Sequence, residues 1–137
     1  MALALLLVAC GHSPGRPAVD RLVADGPAGF VGISVVASGG REAALPRDEW
    51  ARVAPLLAAR RLDHPEPLSS YGLDQPQARL VYRPRAGGRL DVDLGAPSFD
   101  GRLLYARPAR AAHVYLLAAD SLRPLLALAG VVLPPPA

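Results

Sequence analysis

Two stretches of this chain alternate apolar and polar residues so regularly that only paired strands gather their apolar side chains on one face. From Gln77 to Arg83, residues Ala78, Leu80 and Tyr82 fall on one side and Arg79, Val81 and Arg83 on the other. From Arg89 to Leu94, residues Leu90, Val92 and Leu94 point inward and Asp91 and Asp93 outward. A period of two belongs to a strand with one buried face. The segment between them, Pro84-Arg85-Ala86-Gly87-Gly88, has the composition of a reversing turn. The pattern predicts an antiparallel hairpin.

The rest of the chain extends that hairpin. Phe30 to Ser38 is rich in β-branched residues and bounded by Gly, which predicts a strand, and Arg41 to Leu45 is expected to return beside it. From Asp48 to about Leu62, Trp50, Val53, Leu56 and Leu57 fall at helical spacing, with Asp48 as N-cap or first-turn acid and Pro55 as a kink. Arg102–Ala106 and Ala112–Leu117 are two further expected strands. Asp120 or Ser121 is expected to cap a last helix through about Ala129, with Pro124 in its first turn. The predicted class is α+β: an antiparallel β-meander with a helix between the first strands and the main sheet, and a C-terminal helix. One domain over residues 28–130 is expected, followed by a Pro-rich tail over 131–137 that is expected to be extended and disordered.

The first ten residues form an apolar run that ends in the chain's one Cys, with no charged side chain before Arg16. A membrane-spanning helix needs about 20 apolar residues, so the run fits the core of an export signal instead. Leu7-Val8-Ala9-Cys10 resembles a bacterial lipobox. Small residues let the peptide enter the processing peptidase, and the thiol accepts a diacylglyceryl group through a thioether. Residues 1–9 are then a lipoprotein-type signal, Cys10 the lipidated residue, and 10–27 a Gly/Pro-rich tether. The signal lacks the usual basic start. An ordinary secretory cleavage site and a buried cytoplasmic strand are the competing explanations. Gly11 supplies no Asp for inner-membrane retention, so in a Gram-negative host the expected location is the periplasmic face of the outer membrane.

Composition removes several activities. The chain has no Lys, Asn or Thr, and all fifteen basic residues are Arg. Without Lys there is no Walker A loop and no Schiff-base chemistry. One Cys excludes an internal disulfide and a Cys-based zinc site. The net charge of +3 comes from Arg spread from Arg16 to Arg123, with Arg60–Arg61 and the Arg83/Arg85/Arg89 turn as local clusters. Aromatics are 5%, which gives little for base stacking, so no nucleic-acid partner is expected.

Tyr71-Gly72-Leu73-Asp74-Gln75-Pro76, then Leu94-Gly95, then Leu104-Tyr105-Ala106-Arg107, then Val114-Tyr115-Leu116-Leu117 form an ordered series of short motifs. In order and spacing they resemble the bacterial family called domain of unknown function 4340, over about Phe30 to Leu128. The resemblance implies an exported or membrane-anchored protein, in some cases associated with transporter-like membrane assemblies, and it carries no catalytic residues. Many such relatives hold longer or repeated units, whereas this chain holds one. The motif residues also have structural explanations. Gly72 permits a turn, Leu73 tucks into the core, Asp74 forms an Asx-turn and Pro76 starts an extended segment. Gly95 ends a strand, and Tyr105 and Tyr115 suit cross-strand packing with their hydroxyls at the rim.

A search for chemistry is short. His12, His64 and His113 have no metal-ligand spacing, and Asp91-Val92-Asp93-Leu94-Gly95 fails as a calcium loop because Gly95 and Arg102 occupy ligand positions. Asp63, His64 and Glu66 have no nucleophile beside them in sequence. No catalytic residue, metal or cofactor is expected. The leading expectation is a non-enzymatic, lipid-anchored envelope protein that presents one small domain to an envelope partner, unidentified, at an exposed strand edge. A small envelope hydrolase or ligand-binding enzyme using His64 or His113 is the alternative. An Arg-mediated nucleic-acid binder is the second alternative.

Overall fold

The computed structural model describes residues 20–136. The alternating hairpin lies at its centre. β6 (Ala78–Pro84) pairs antiparallel with β7 (Leu90–Pro97), placing Leu80 opposite Val92 and Ala78 opposite Leu94. β8 (Leu103–Pro108) and β9 (Val114–Ala118) continue the meander, as predicted. On the other side β2 (Phe30–Ala37) pairs with β6, and β3 (Glu42–Ala44) returns along β2. With β5 (Arg60–Leu62) beside β9, the sheet has seven strands in the order β3-β2-β6-β7-β8-β9-β5. β1 (Arg21–Val23) and β4 (Leu56–Leu57) make a separate two-stranded sheet.

The α+β class holds: mostly antiparallel sheet with one C-terminal α-helix, α1 (Ala119–Leu128). Leu122, Leu125, Leu126 and Ala129 of α1 and the residue after it form its buried stripe, at the i, i+3, i+4, i+7 spacing of one helix face. They join Ile33, Val35, Leu80, Leu94 and Leu104 in one core cluster on the inner face of the sheet. Phe30 and Tyr82 stack within it, ring centroids 5.2 Å apart. The Tyr82 hydroxyl donates to the Val53 carbonyl at 2.8 Å, which satisfies the one polar atom that this large side chain brings inside. Burial pushes the Tyr82 phenol pKa up.

Several boundaries differ from the sequence expectations. The helix predicted over residues 48–62 is a 3-10 stretch, Arg47–Arg52, followed by β4 and β5. Trp50 and Val53, three residues apart and both buried, suit a 3-10 turn, in which i and i+3 eclipse. Pro55 has no N–H to carry an α-helix further, and Leu56 instead pairs with Val23. Trp50 Nε1–H donates to the Leu45 carbonyl at 3.0 Å, with the Arg47 guanidinium 4.6 Å from its ring. Leu90, expected to point inward, is 43% exposed, because it lines an open cleft with Leu22 and Val23 at the rim of the core.

Neither Asp120 nor Ser121 caps α1. The helix starts one residue earlier, at Ala119, whose N–H is taken by the Arg102 carbonyl, so both polar residues lie within its first turn. Pro124 sits one turn deeper than expected, where it leaves the Asp120 carbonyl without an intrahelical donor. At the other end Gly130, at φ 82°, closes the helix: its N–H reaches the Ala127 carbonyl and that of Val131 the Leu126 carbonyl, the paired bonds of a Schellman cap. The cap turns the chain back onto the domain. The expected boundaries at 28 and 130 are therefore both too narrow: Val23 of β1 is buried, and so is Leu133 of the tail. Arg123 Nη1 donates to the Leu133 and Pro134 carbonyls at 3.0 and 2.7 Å, holding the extended tail in place.

Candidate functional site

Part of the motif series singled out in the sequence builds the outer face of the sheet. Leu104 and Ala106 belong to the inner core, so Tyr105 between them points outward, as does Gly95 after Leu94. The loop that carries Tyr71-Gly72-Leu73 lies on that face. A 3-10 turn, Leu68–Tyr71, ends at Gly72 in the left-handed region at φ 69°. Tyr71 then stacks on Tyr105 with ring centroids 4.7 Å apart, and Leu73 is buried. A Cβ on Gly95 would press into the Tyr71 carbonyl oxygen and lie 3.0 Å from Leu73 Cγ and Cδ2. Close approach of the loop is thus the reason for glycine at 95.

Leu73, Val81, Val114 and Leu116 are buried yet stand apart from the main cluster, forming the outer-face counterpart of the core. The Tyr71 hydroxyl accepts from the Glu66 N–H at 2.8 Å, and Gln77 Nε2 donates to the Gly95 carbonyl at 2.6 Å. Tyr71, Gly72, Leu73, Gly95 and Tyr105 therefore meet as one packed unit. The other motif residues disperse. Ala106 is buried on the inner face, Arg107 donates to the Ala111 carbonyl, and Pro76 lines a surface cleft. Tyr115 stands edge-on to His113, centroids 6.5 Å apart, and Tyr105 finds its aromatic partner in the loop instead of across the strands. The expected Asx-turn at Asp74 is not formed: its side chain is exposed and makes no hydrogen bond among the described residues. The loop is closed by the Leu73 N–H to the Leu68 carbonyl instead.

Charges on the outer face follow the alternation. Arg79 bonds Asp93 at 2.7 Å, and Arg89 bonds Asp91 at 2.7 Å. Asp91 raises the Arg89 pKa, and Asp63 with Asp20 does the same for Arg61. The β7–β8 turn is held by Asp100, whose carboxylate accepts from Ser98 Oγ at 2.7 Å and from the Arg102 N–H at 3.0 Å. Those bonds lower its pKa, the Ser98 bond first. A carboxyl with a depressed folded pKa stabilises the turn at pH values above its unfolded pKa and loses that contribution as pH falls through the folded one. Below about pH 4 the Leu103 amide, which donates to Ser98 Oγ, is expected to lose protection relative to its intrinsic exchange rate, and Asp100→Asn flattens that dependence when followed by hydrogen exchange.

Surface clefts among the described residues include three of about 520, 440 and 260 Å³. None of the three is lined by histidine. His64 is exposed, and His113 is half-buried with Nδ1 lacking a hydrogen-bond partner. The Asp63 carboxylate is taken up by Arg61 at 2.6 Å. No group of three His, Cys, Asp or Glu side chains able to hold a metal occurs among the described residues. No helix there is long and apolar enough to cross a membrane. Cys10 and the Leu7, Val8 and Ala9 that precede it lie outside the described residues.

The sheet leaves two terminal strands, β3 and β5, each of three residues. Their outer backbone groups are the places where another chain can add a strand. Comparison with protein-family models, with curated proteins and with solved structures found no match.

Proposed function

We propose that this chain is a non-enzymatic, lipid-anchored cell-envelope protein whose folded unit serves as an interaction or accessory module of a membrane or transporter-like assembly. The observation that carries it is the Leu7-Val8-Ala9-Cys10 run, whose Cys stands ten positions ahead of Asp20. A thiol so placed accepts a lipid that holds the domain on a membrane surface without any spanning segment, and two or more acyl chains make such anchoring stable. The resemblance to domain of unknown function 4340 supports the same reading. Filled sheet faces and short free edges leave β3 and β5 as the surfaces at which a partner adds a strand.

A photo-crosslinking residue at Ala44 in β3 or Arg60 in β5 tests the interaction in intact cells, with Ala127 on the exposed side of α1 as the comparison position. The expected result is a discrete adduct with one envelope protein from an edge position, lost when proline replaces Ala43 or Arg61 beside it. Equal adduct patterns from all three positions, or a protein found wholly in the cytosol, contradict the proposal.

A further inference from the structure

The end of the sheet beside β1 is basic and partly apolar: Leu22 and Val23 share one cleft with Pro108, Ala109 and Arg110 at the β8–β9 turn. The β8–β9 turn is therefore at this end, and the antiparallel meander puts the β6–β7 turn there too. The Ala109 N–H donates to the Asp91 carbonyl at 2.9 Å, joining the two turns. Arg85 ties the start of β2 to them, its N–H on the Gly29 carbonyl at 2.9 Å and its Nε on the Ala28 carbonyl at 2.8 Å.

Five arginines converge at this end: Arg83, Arg85, Arg89, Arg107 and Arg110. Of the carboxylates at this end, Asp20 and Asp63 are held by Arg61 and Asp93 by Arg79, which leaves Asp25 and Asp91 beside the five. Arg89 pairs with Asp91, whereas the other four make no ion pair among the described residues. Apolar side chains are exposed beside them, Leu90 at 43% and Val31 at 54%. Leu90 also lines the cleft of about 440 Å³, together with Leu22, Pro108, Arg89 and Arg110.

We propose that this end is the face that rests on the membrane: its arginines bind anionic phospholipid headgroups, and Leu90 and Val31 enter the interface. The orientation builds on the lipid anchor proposed above. Cys10 stands ten positions before Asp20, a reach of at most about 35 Å along the chain, so an anchored domain stays close to the bilayer. Arginine beside exposed aliphatic side chains matches a charged, interfacial lipid surface. Nucleic acid fits less well: at this end Phe30 and Tyr82 are buried and His113 stands edge-on to Tyr115, while the fully exposed ring, Phe99, lies in the β7–β8 turn at the opposite end.

The test uses the full chain with Cys10→Ser, so that binding is independent of lipidation, and vesicles of phosphatidylcholine with or without phosphatidylglycerol. Sedimentation is expected with the anionic vesicles only, and to weaken as salt is raised. Arg83→Glu/Arg110→Glu, two side chains without hydrogen bonds in the fold, is expected to lower the partition about tenfold or more. Arg41→Glu/Arg102→Glu makes the same charge change at the opposite end of the sheet and is expected to retain binding within about threefold. Circular dichroism confirms that both variants fold. Equal binding to neutral vesicles, equal losses in the two variants, or tighter binding of an RNA duplex than of anionic vesicles at the same salt overturns the proposal. Failure of Cys10 to accept lipid leaves this vesicle result unchanged, so the two claims fail separately.

Discussion

Gly95→Ala is expected to destabilise the domain by about 2–3 kcal/mol, a cost typical of overpacking at a closed site. Gly95 lies in the irregular stretch of β7 between Leu94 and Pro97, but its φ is not positive, so a need for glycine's left-handed conformation is not the cause. The cause is space: the added methyl meets the Tyr71 carbonyl and the Leu73 side chain, both held in place. Tyr71 is fixed by its stack on Tyr105 and its bond from Glu66, and Leu73 is buried. Relief requires lifting the loop, which exposes Leu73 and part of the outer-face apolar layer. Urea unfolding followed by circular dichroism reads the loss as a lower midpoint at unchanged slope. Gly39→Ala is the matched comparison, with nothing within 4 Å of its added Cβ, and is expected to stay within about 0.5 kcal/mol of the parent. Equal stability of the two variants contradicts the packed-loop account.

Removal of residues 131–137 is the second large effect. Leu133 is 4% exposed within the core cluster, and Val131 packs against that cluster. Burial of one large aliphatic side chain is worth about 1.5–3 kcal/mol, and the loss of partners for Arg123 adds to it. A chain ending at Gly130 is therefore expected to be about 3 kcal/mol less stable. Leu133→Ala alone is expected to account for most of that loss, whereas Val132→Ala, at an exposed side chain, changes it little. A truncated chain as stable as the parent shows that the tail contributes nothing to the fold.

These two sites mark what the sequence made legible and what it concealed. The central hairpin was readable because its strands bury one face each, so Leu80, Tyr82, Val92 and Leu94 recur with period two. The C-terminal helix was readable from its start signals, Asp120 or Ser121 followed by Pro124, although neither polar residue caps it. Residues 48–62 were misleading because 3-10 and α patterns both place an apolar residue at i+3, and Trp50 and Val53 satisfy either. The start of α1 was hidden because its first N–H is taken by the carbonyl of Arg102, distant in sequence, so no capping side chain was required. The tail read as an appendage because three consecutive prolines exclude helix, yet a single Leu133 ahead of them suffices to bury it. Leu90 kept the strand pattern while lying at the rim of the core, which periodicity along one strand cannot report.

The motif residues were legible as turn and packing residues one at a time, but not as a unit. Gly72, Leu73 and Gly95 are far enough apart that only the fold brings the loop onto β7. The basic end was concealed in the same way. Arg83, Arg85 and Arg89 cluster in sequence, but Arg107 and Arg110 join them only because an antiparallel meander puts alternate turns at one end.

The central claim is that Cys10 carries lipid and thereby holds this domain at a membrane. Metabolic labelling with a fatty acid in a bacterial host, followed by recovery of the protein, tests it most directly. Label on the wild-type chain and none on Cys10→Ala is the predicted result; an unlabelled wild type, or equal label on the two, contradicts it.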